Sequence, residues 1–445
     1  MHNTISGIYE QRDPKNSHYF QCTETHFEEL EMIWGERYRS RYGAFRPHVK
    51  DVIHQYLDCG DPHNGFARIK CNDCNHEFLL PFSCKRRHFC PSCHQKRVIT
   101  FGEELCENVL KAVPHRHWVF SIPKRLRIYF LFDRKLLPKL SRCVWNVLKK
   151  YLVSMTSYED ASPGAVLAMQ TFGDFLDFHP HVHAIVSDGC FYGEGLFMVS
   201  PSPLAKDLEE AFRHEVLKML KKEGKINDTV IENMMSWHHT GFNIYCGPPI
   251  WPQDEKGLEN LARYIIRASF SQERMTYIPA NKSDDGTAKV LYRGKDGKSS
   301  KTFDAVDWLA LLVNHIPDRY AQTIKYNGFY SNRKKGDRRK AGRDNDVPAL
   351  IDSGQSRSEF KKNWARLIQK IYNVDPLICP NCHGNMKVIS VIEEKAVIKK
   401  ILQHLNLWDI RNNSPPEKTT QYIWEWSYDD SLSQIPEYEI DYWSQ

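Results

Sequence analysis

The sequence contains no long apolar run and no sign of an export signal. Hydrophobic residues make up 41% of its 445 positions, yet no stretch approaches the roughly 18 uninterrupted apolar residues of a membrane-spanning helix. The first thirty residues are rich in Asn, His, Glu and Arg and lack the apolar centre of a signal peptide. No segment repeats at a fixed period. We therefore expect a globular chain of two or three compact units, located in the cytoplasm.

The cytoplasm disfavours disulfides, so the 13 cysteines of the chain need another explanation. Five of them fall within 23 residues, and the spacing of four, Cys-x2-Cys-x15-Cys-x2-Cys, is typical of two facing zinc knuckles. The predicted zinc ligands are Cys71, Cys74, Cys90 and Cys93. Four thiolates leave no open position on the metal, so this zinc would be structural. Cys84 and His88 lie inside the same segment and remain alternatives for one of the four ligands.

A separate CxxC turn, Cys379-Pro-Asn-Cys382, lies far from this cluster in the sequence. It has no second CxxC nearby, which a complete four-thiolate site would need. A metal site completed by His383 or His404 and a bare turn without metal explain the motif equally well.

Basic residues are concentrated although the net charge is only +6. The 61 Lys and Arg residues are dense at 85–97, 124–127 and 333–343. In the cysteine segment they alternate with Phe82 and Phe89, a pattern suited to phosphate contact and base stacking. The predicted DNA contacts there are Lys85, Arg86, Arg87, Lys96 and Arg97. A zinc module that serves only as a packing unit is the alternative explanation.

A pair of histidines opens an apolar strand in the segment HPHVHAIV. His181 and His183 are two residues apart, so both side chains project from the same face of a strand. Two imidazoles make an incomplete site for a hard divalent ion, and an oxygen ligand should join them. Gln170 and Asp174 are near enough in sequence, and we favour Gln170.

Five motifs occur together in this chain: FSCKRRHFCPSC, QTFGDFLDFHPHVHAIVSDG, LARYIIRAS, YNGFYSNR and CPNCHGNM. Their combination resembles the HUH-endonuclease transposases of rolling-circle insertion sequences, the IS91 family, over roughly residues 30 to 390. The resemblance implies that the histidine pair holds Mg²⁺ or Mn²⁺, which polarises the scissile phosphate while a tyrosine attacks it. It also implies a 5′-phosphotyrosine link, a free 3′-hydroxyl, and single-stranded or hairpin-forming DNA at the element ends as substrate.

The tyrosine that matches the family motif is Tyr264 in ENLARYIIRASFS, within a helix expected over 257–272. Family members with two catalytic tyrosines carry them four residues apart, but the earlier position here is Asn260. The chain therefore resembles the single-tyrosine subgroup. Arg263 and Arg267 flank the tyrosine and are predicted to orient phosphate.

A second pair of tyrosines competes with Tyr264 as the nucleophile. Tyr326 and Tyr330 also stand four residues apart, in KYNGFYSNRKK. We rank them second and predict that they stack on DNA beside a basic arm. The predicted DNA contacts of that arm are Arg333, Lys334 and Lys335.

The expected fold class is α+β, with short antiparallel strands that carry the histidines and helices between and after them. The resemblance implies a five-stranded, ferredoxin-like palm preceded by a small zinc-binding domain. A hairpin is predicted to turn at Lys295-Asp296-Gly297 and to lead into a helix near Asp304. The predicted division of the chain is a helical region at 1–60, a zinc-binding, DNA-contacting domain at 61–112, the tyrosine nuclease at 113–330, a basic linker at 331–358 and a carboxyl-terminal region at 359–445.

Other functions use some of the same features. A plasmid replication initiator or relaxase of the HUH type would cut DNA by the same chemistry, but the cysteine module favours transposition. A non-enzymatic zinc-containing DNA-binding regulator would explain the cysteines and the basic residues, but it would not explain a histidine pair followed by a tyrosine helix. The expected protein is thus a bacterial, nucleoid-associated transposase.

Overall fold

The structure is a computed structural model, and it describes residues 14–86, 88–193, 196–201, 203, 205–342 and 379–408. The strands, in chain order, are β1 (Phe66–Cys71), β2 (Glu77–Pro81), β3 (His115–Ser121), β4 (Gly164–Phe172), β5 (Phe178–Ser187), β6 (Gly189–Tyr192), β7 (Leu196–Val199), β8 (Asn243–Ile250), β9 (Met275–Ile278), β10 (Lys289–Arg293), β11 (Ser300–Asp304), β12 (Ile324–Gly328) and β13 (Met386–Ile392). The helices are α1 (His18–Ile33), α2 (Arg39–Tyr42), α3 (Pro47–Leu57), α4 (Pro91–Asn108), α5 (Lys124–Phe132), α6 (Leu137–Ser154), α7 (Ala205–Lys222), α8 (Asp228–Met235), α9 (Glu255–Tyr264), α10 (Ala305–Val313), α11 (Asn332–Lys340) and α12 (Lys395–His404). Helices combined with antiparallel sheets confirm the predicted α+β class.

A five-stranded antiparallel sheet, in the order β12-β4-β5-β3-β8, forms the centre of the fold. Because side chains alternate across a strand, its two faces carry different residues. Trp118, Phe120 and Val182 point to one face and pack with α5, α6 and α7 in one hydrophobic cluster. Val166 and Ile185 point to the other face and pack with α4 and α9 in a second cluster. The sheet therefore lies between two helical layers.

Helix α9 ends earlier than the sequence predicts. The expected helix over 257–272 stops at Tyr264, after which the chain turns through hydrogen bonds of the i to i−3 type. Two side chains from other elements hold carbonyls that a continuing helix would use. Gln170 on β4 donates from Nε2 to the Ile265 carbonyl at 2.8 Å, and His94 on α4 bonds the Ile266 carbonyl through Nε2 at 2.9 Å. These capping bonds satisfy the carbonyls and fix the end of the helix.

The amino-terminal helices pack on the segment that follows α9. Tyr19 of α1 and Trp308 of α10 meet edge to face, with ring centroids 6.0 Å apart. Arg46 donates to the Val313 and Ile316 carbonyls at 2.7 Å each. The predicted hairpin is present as β10 and β11, and Asp304 caps α10 by accepting from the Val306 amide at 3.0 Å. Elements distant in sequence thus share one apolar core.

The predicted linker at 331–358 is wrong for its first part, which forms α11. Ser331 caps this helix by accepting from the Lys334 amide at 3.4 Å, and three basic residues occupy its last turn, where cations favour the helix dipole. Residues 343–358, together with 359–378 and 409–445 of the predicted carboxyl-terminal region, lie outside the described part of the chain. Within the described ranges, no helix is long and apolar enough to span a bilayer.

A small sheet brings a late segment of the chain back to an early one. Its strand order is β13-β1-β2, and β13 pairs antiparallel with β1 from Phe66↔Ile392 to Cys71↔Met386. Helix α12 follows β13 and places Ile398 and Leu402 against Phe66. The carboxyl-terminal segment therefore packs against the segment that contains the first CxxC turn.

Two buried histidines outside the zinc module make the stability of the fold sensitive to acid. Burial lowers the pKa of His115 to about 3 and that of His315 to about 4, below the value of about 6.5 in an unfolded chain. Between these values the unfolded state binds more protons, so stability is complete above pH 6.5 and is lost as the pH falls toward 4. We expect a loss of about 2 kcal/mol for each histidine between pH 7 and pH 5.

Urea unfolding of the metal-free protein at pH 7, 6 and 5 measures this loss. His315→Gln should reduce the pH dependence, because one buried imidazole is removed. The exposed His238 provides a matched control, and His238→Gln should keep the wild-type dependence. Equal pH dependence in both variants would contradict the assignment to the buried ring.

Candidate active site

His181 and His183 lie on the central strand β5 and face the same side of the sheet, as predicted. In register, His181 is paired with Ser121 and His183 with Val119 of β3. Both rings are buried, with 7% and 3% of their surface exposed. The neighbouring strand β3 adds a third imidazole, His117, to this face. Its Nε2 lies 2.9 Å from Nδ1 of His183, and the two rings are stacked.

Hydrogen bonds occupy the Nδ1 atom of each histidine of the pair. A carbonyl can only accept, so Nδ1 of His181 donates its proton to the His179 carbonyl at 2.7 Å, which leaves Nε2 unprotonated in the neutral ring. Nδ1 of His183 is engaged by His117, and its Nε2 is buried without a hydrogen-bond partner among the described residues. Metal-binding histidines are oriented in this way, with the second nitrogen bonded to the protein. The donor set therefore fits a divalent ion.

Burial keeps these imidazoles neutral at physiological pH. It lowers the pKa of His117 to about 4, with a further contribution from the positive charge of Arg267. The pKa values of His181 and His183 are well below their ordinary value because of burial, and neighbouring imidazoles lower them further. A neutral ring is the form that binds metal. All three rings are thus ready to act as ligands or as acceptors of hydrogen bonds.

Tyr264, the last residue of α9, lies against the histidines. Asp254 caps the start of this helix by accepting from the Gly257 amide at 2.9 Å. The Tyr264 ring meets the His183 ring edge to face at 5.4 Å between centroids, and the His117 ring at 5.8 Å. The Arg267 guanidinium lies 4.8 Å from the centroid of the tyrosine ring. A phenol, a cation and three imidazoles therefore meet at one place on the sheet.

Gln170 is paired in register with His181 and shares its face of the sheet. Its Nε2 donates to the Ile265 carbonyl at 2.8 Å, whereas its Oε1 accepts a long bond of 3.4 Å from Nε of Arg267. The side chain thus ties β4 to the turn after Tyr264. Asp174, the other candidate oxygen ligand, forms an ion pair with Arg274 at 3.2 Å.

A cleft opens beside Gln170, between α4, β4 and the turn after α9. Arg97 and Arg267 line it from opposite elements, together with Phe172, Ile265 and other residues. Two guanidiniums on the walls of a cleft favour a polyanion such as DNA.

The other predicted DNA contacts are spread over two surfaces. Lys85, Arg86 and Lys96 lie in the cysteine module, and Lys85 is exposed. Arg87 lies outside the described residues. Arg333 and Lys334 are exposed on α11, whereas Lys335 donates to the Asn108 carbonyl at 2.8 Å.

The structure does not support DNA contact by three of the predicted residues, because two of them are buried and the third is paired with a neighbouring carboxylate. Tyr330 is 1% exposed and its hydroxyl is bonded to Nε2 of His115 at 2.7 Å, so its ring cannot stack on a base. Phe89, proposed for the same role, is also 1% exposed. Arg263 forms an ion pair with Glu259 and packs on Gly102 of α4. Tyr326 is half-buried on the edge strand β12 and packs with the α4 and α9 cluster.

The structure divides the four predicted zinc ligands between two places. Cys90 and Cys93, at the start of α4, converge with Cys59 and Cys84, and the four sulfurs lie within 4.8 Å of one another. Cys84 Sγ is 3.5 Å and Cys59 Sγ is 3.8 Å from Cys93 Sγ. Four converging thiols are the donor set of a structural zinc site.

Cys71 and Cys74 take no part in this site and lie instead beside Cys379 and Cys382. The original grouping of Cys71 and Cys74 with Cys90 and Cys93 is therefore wrong. The spacing allowed it, but β1 and β2 carry the first knuckle away from the start of α4.

Sequence reasoning missed two residues for different reasons. Cys59 stands alone in DCGDP, with no neighbouring ligand to mark it. His117 did have a signal, because HRHWVF repeats the His-x-His pattern in a second apolar strand. Two such strands in one chain predict a histidine-rich face if they are adjacent in the sheet.

Two protein families match the chain. A family model described as a transposase zinc-binding domain matches residues 30–122. A second family model, described as "Putative transposase", matches residues 164–338. The first match covers all four cysteines of the Cys59 site, which supports zinc as their ligand. The second covers His181, His183 and Tyr264.

Curated relatives agree with these families. The chain is 24% identical to the transposase for insertion sequence element IS801 of Pseudomonas savastanoi pv. phaseolicola over 390 residues, 82% of this chain and 88% of the relative. It is 23% identical to "Putative transposase y4qJ" of Sinorhizobium fredii over 382 residues, 81% of this chain and 94% of the relative. No solved structure gives a significant match. Both family models and both relatives are transposases, so the chain is similar to insertion-sequence transposases of the IS91 and IS801 type, which makes it a DNA-processing protein.

Proposed function

We propose that this transposase nicks and rejoins single-stranded DNA at the ends of a rolling-circle insertion sequence through a covalent bond to Tyr264. The observation that carries the proposal is the contact of the Tyr264 ring with His183, at 5.4 Å between centroids, on the face that also holds His181. A phenol packed only in a core would not need the imidazoles of His183 and His117 against its ring. The half-buried position leaves Tyr264 accessible to a substrate.

Residues that fit a divalent ion are grouped on one face of the sheet. Nε2 of His181 and Nε2 of His183 would hold the ion, and Gln170 Oε1 is the proposed oxygen ligand because its hydrogen bond from Arg267 is long, at 3.4 Å. Mg²⁺ or Mn²⁺ bound there would polarise the scissile phosphate. His117 touches His183 and would keep that ring in position.

The covalent step uses the Tyr264 hydroxyl as the nucleophile. Its oxygen forms a bond to phosphorus while the bond from phosphorus to the 3′-oxygen breaks. The phenol proton is lost, and the departing 3′-oxygen takes up a proton to become a free hydroxyl. Arg267, which lies beside the Tyr264 ring, would stabilise the negative charge that develops. The phosphotyrosine bond conserves the energy of the cut strand, so a 3′-hydroxyl can reverse the reaction without ATP.

The cleft lined by Arg97 and Arg267 is the proposed path of the strand to the site. A phosphate must contact the ion and Tyr264 together, which a flexible or hairpin-forming strand does more readily than a duplex. Lys85, Arg86 and Lys96 of the zinc module and Arg333 and Lys334 of α11 would extend the contact along the backbone. In a bacterial cell this protein would work in the cytoplasm, at the nucleoid.

A peptide map of the covalent product tests the proposal. Full-length protein is incubated with labelled single-stranded DNA that carries the element ends, with Mg²⁺, with Mn²⁺ or with EDTA. A detergent-resistant adduct is expected only with metal. Trypsin cleaves after Arg263 and Arg267, so mass spectrometry should find the nucleotide on residues 264–267.

Two results would overturn the assignment. An adduct on the tryptic peptide 326–333 would move the nucleophile to the second tyrosine pair. Retention of the DNA without any adduct, on ends that are known to transpose, would favour a DNA-binding protein without nuclease activity.

A further inference from the structure

A second group of four cysteines lies outside the zinc site described above. Cys71 and Cys74 come from the turn between β1 and β2, and Cys379 and Cys382 precede β13. Cys74 Sγ lies 3.3 Å from Cys379 Sγ, and Cys71 Sγ lies 3.5 Å from Cys382 Sγ. All four sulfurs are within 4.8 Å of one another, as a tetrahedral ion requires.

The two CxxC segments fold into the same local turn although their sequences differ. In each, the amide of the first cysteine donates to the carbonyl five residues later, Cys71 to His76 and Cys379 to Gly384, both at 2.8 Å. In each, the residue after the second cysteine has a left-handed backbone, with φ of 61° at Asn75 and 58° at His383. That conformation is uncommon for residues other than glycine. Its occurrence at equivalent positions indicates two matched knuckles that face each other.

The knuckles also contact each other through their backbones. The Asn72 amide donates to the Asn385 carbonyl at 3.0 Å. A Cβ atom added at Gly384 would lie 1.8 Å from Oδ2 of Asp73, which shows how closely the two knuckles approach. Strands β1 and β13 lead out of the two turns as a hydrogen-bonded pair.

The apolar core beneath the knuckles is small. Its buried members are Ile69, Cys71, Cys379 and Met386. A cluster of this size buries too little apolar surface to fix two loops, and such segments are commonly held together by a structural metal. Unbound thiols would gain little from converging here, because Cys74 and Cys382 are exposed to water.

We infer that Cys71, Cys74, Cys379 and Cys382 bind a second structural zinc, which fastens the carboxyl-terminal segment to the zinc module. The ligands are separated by as many as 311 residues, so this ion closes a loop that contains the whole central sheet. Two of its ligands lie beyond both matched families, which end at residues 122 and 338. The inference does not depend on the nuclease chemistry.

Metal analysis of the full-length protein tests the inference. We expect two zinc ions per chain in the wild type and one in the Cys379→Ser, Cys382→Ser double variant. Cys106 lies in neither group, so Cys106→Ser should keep two ions. Cys382→His should also keep two, because imidazole replaces thiolate as a zinc ligand. One ion in the wild type, or equal zinc in the wild type and the double variant, would overturn the second site.

Reconstitution with cobalt provides a second measurement. It does not depend on how much zinc the protein retains through purification. Tetrahedral cobalt bound to thiolates absorbs through charge transfer from sulfur, and two four-thiolate sites contribute about equally. We expect the double variant to retain half of the wild-type band intensity and the full far-ultraviolet circular dichroism of its folded body. Unchanged cobalt intensity in a folded double variant would contradict the inference.

Discussion

Tyr264→Phe should lower the yield of the covalent DNA adduct by roughly four orders of magnitude or more, as expected when a nucleophile is removed. Phenylalanine keeps the ring that packs against His183 and His117 and loses only the hydroxyl. The protein should therefore fold and bind single-stranded DNA with wild-type affinity. Gel analysis of the adduct and fluorescence anisotropy with the same oligonucleotide separate the two effects.

Tyr326→Phe is the matched control for this substitution. Tyr326 is also a half-buried tyrosine of the nuclease domain, and it packs in the cluster formed by α4 and α9. Its variant should form the adduct at close to the wild-type rate. A normal adduct yield in Tyr264→Phe, together with a loss in Tyr326→Phe, would reverse the assignment of the nucleophile.

His183→Ala should reduce metal-dependent cleavage by about 10³-fold, because a metal that polarises the phosphate supplies several kcal/mol and each 1.36 kcal/mol is a factor of ten. His181→Ala should behave in the same way, since Nε2 of both imidazoles would hold the proposed ion. Higher Mn²⁺ concentrations should not restore either variant. The exposed His238 gives the control, and His238→Ala should cleave normally.

His117→Gln should have a smaller effect of a different kind. His117 touches His183 rather than the ion, and removal of such a supporting residue typically costs 10–100-fold in metal affinity or activity. Cleavage by this variant should recover as Mn²⁺ is raised, which shifts the metal titration without lowering its plateau. A lowered plateau at saturating metal would instead place His117 among the direct ligands.

Local patterns predicted the parts of the fold that depend on local sequence. The alternation around His181 and His183 predicted a strand with both rings on one face, and the register confirms it. The turn at 295–297 predicted the β10 and β11 hairpin, and Asp304 predicted the start of α10. In each case the structure depends on residues only a few positions apart, through the alternation of side chains along a strand or through a residue that caps a helix.

Features that depend on distant contacts could not be predicted in this way. The four sulfurs of the Cys59 site are brought together by tertiary packing, and only one CxxC motif contributes to it. Tyr330 appeared suited to DNA because basic residues follow it, yet it fills space left by a glycine. A Cβ atom at Gly164 would lie 2.6 Å from the Tyr330 ring, so the ring is packed directly on the backbone of β4. The spacing of residues in the sequence does not indicate such a contact.

The bond from His94 to the Ile266 carbonyl connects the Cys59 site with the turn that follows Tyr264. His94 follows Cys93 directly, in the first turn of α4 where the Cys59 site gathers its ligands, and its ring bonds the turn that follows Tyr264. Loss of a metal from the Cys59 site would weaken the support of this turn, and Tyr264 would be less well aligned with the histidine pair. Occupancy of the Cys59 site would then set the yield of the proposed covalent adduct, although no cysteine of that site touches the tyrosine.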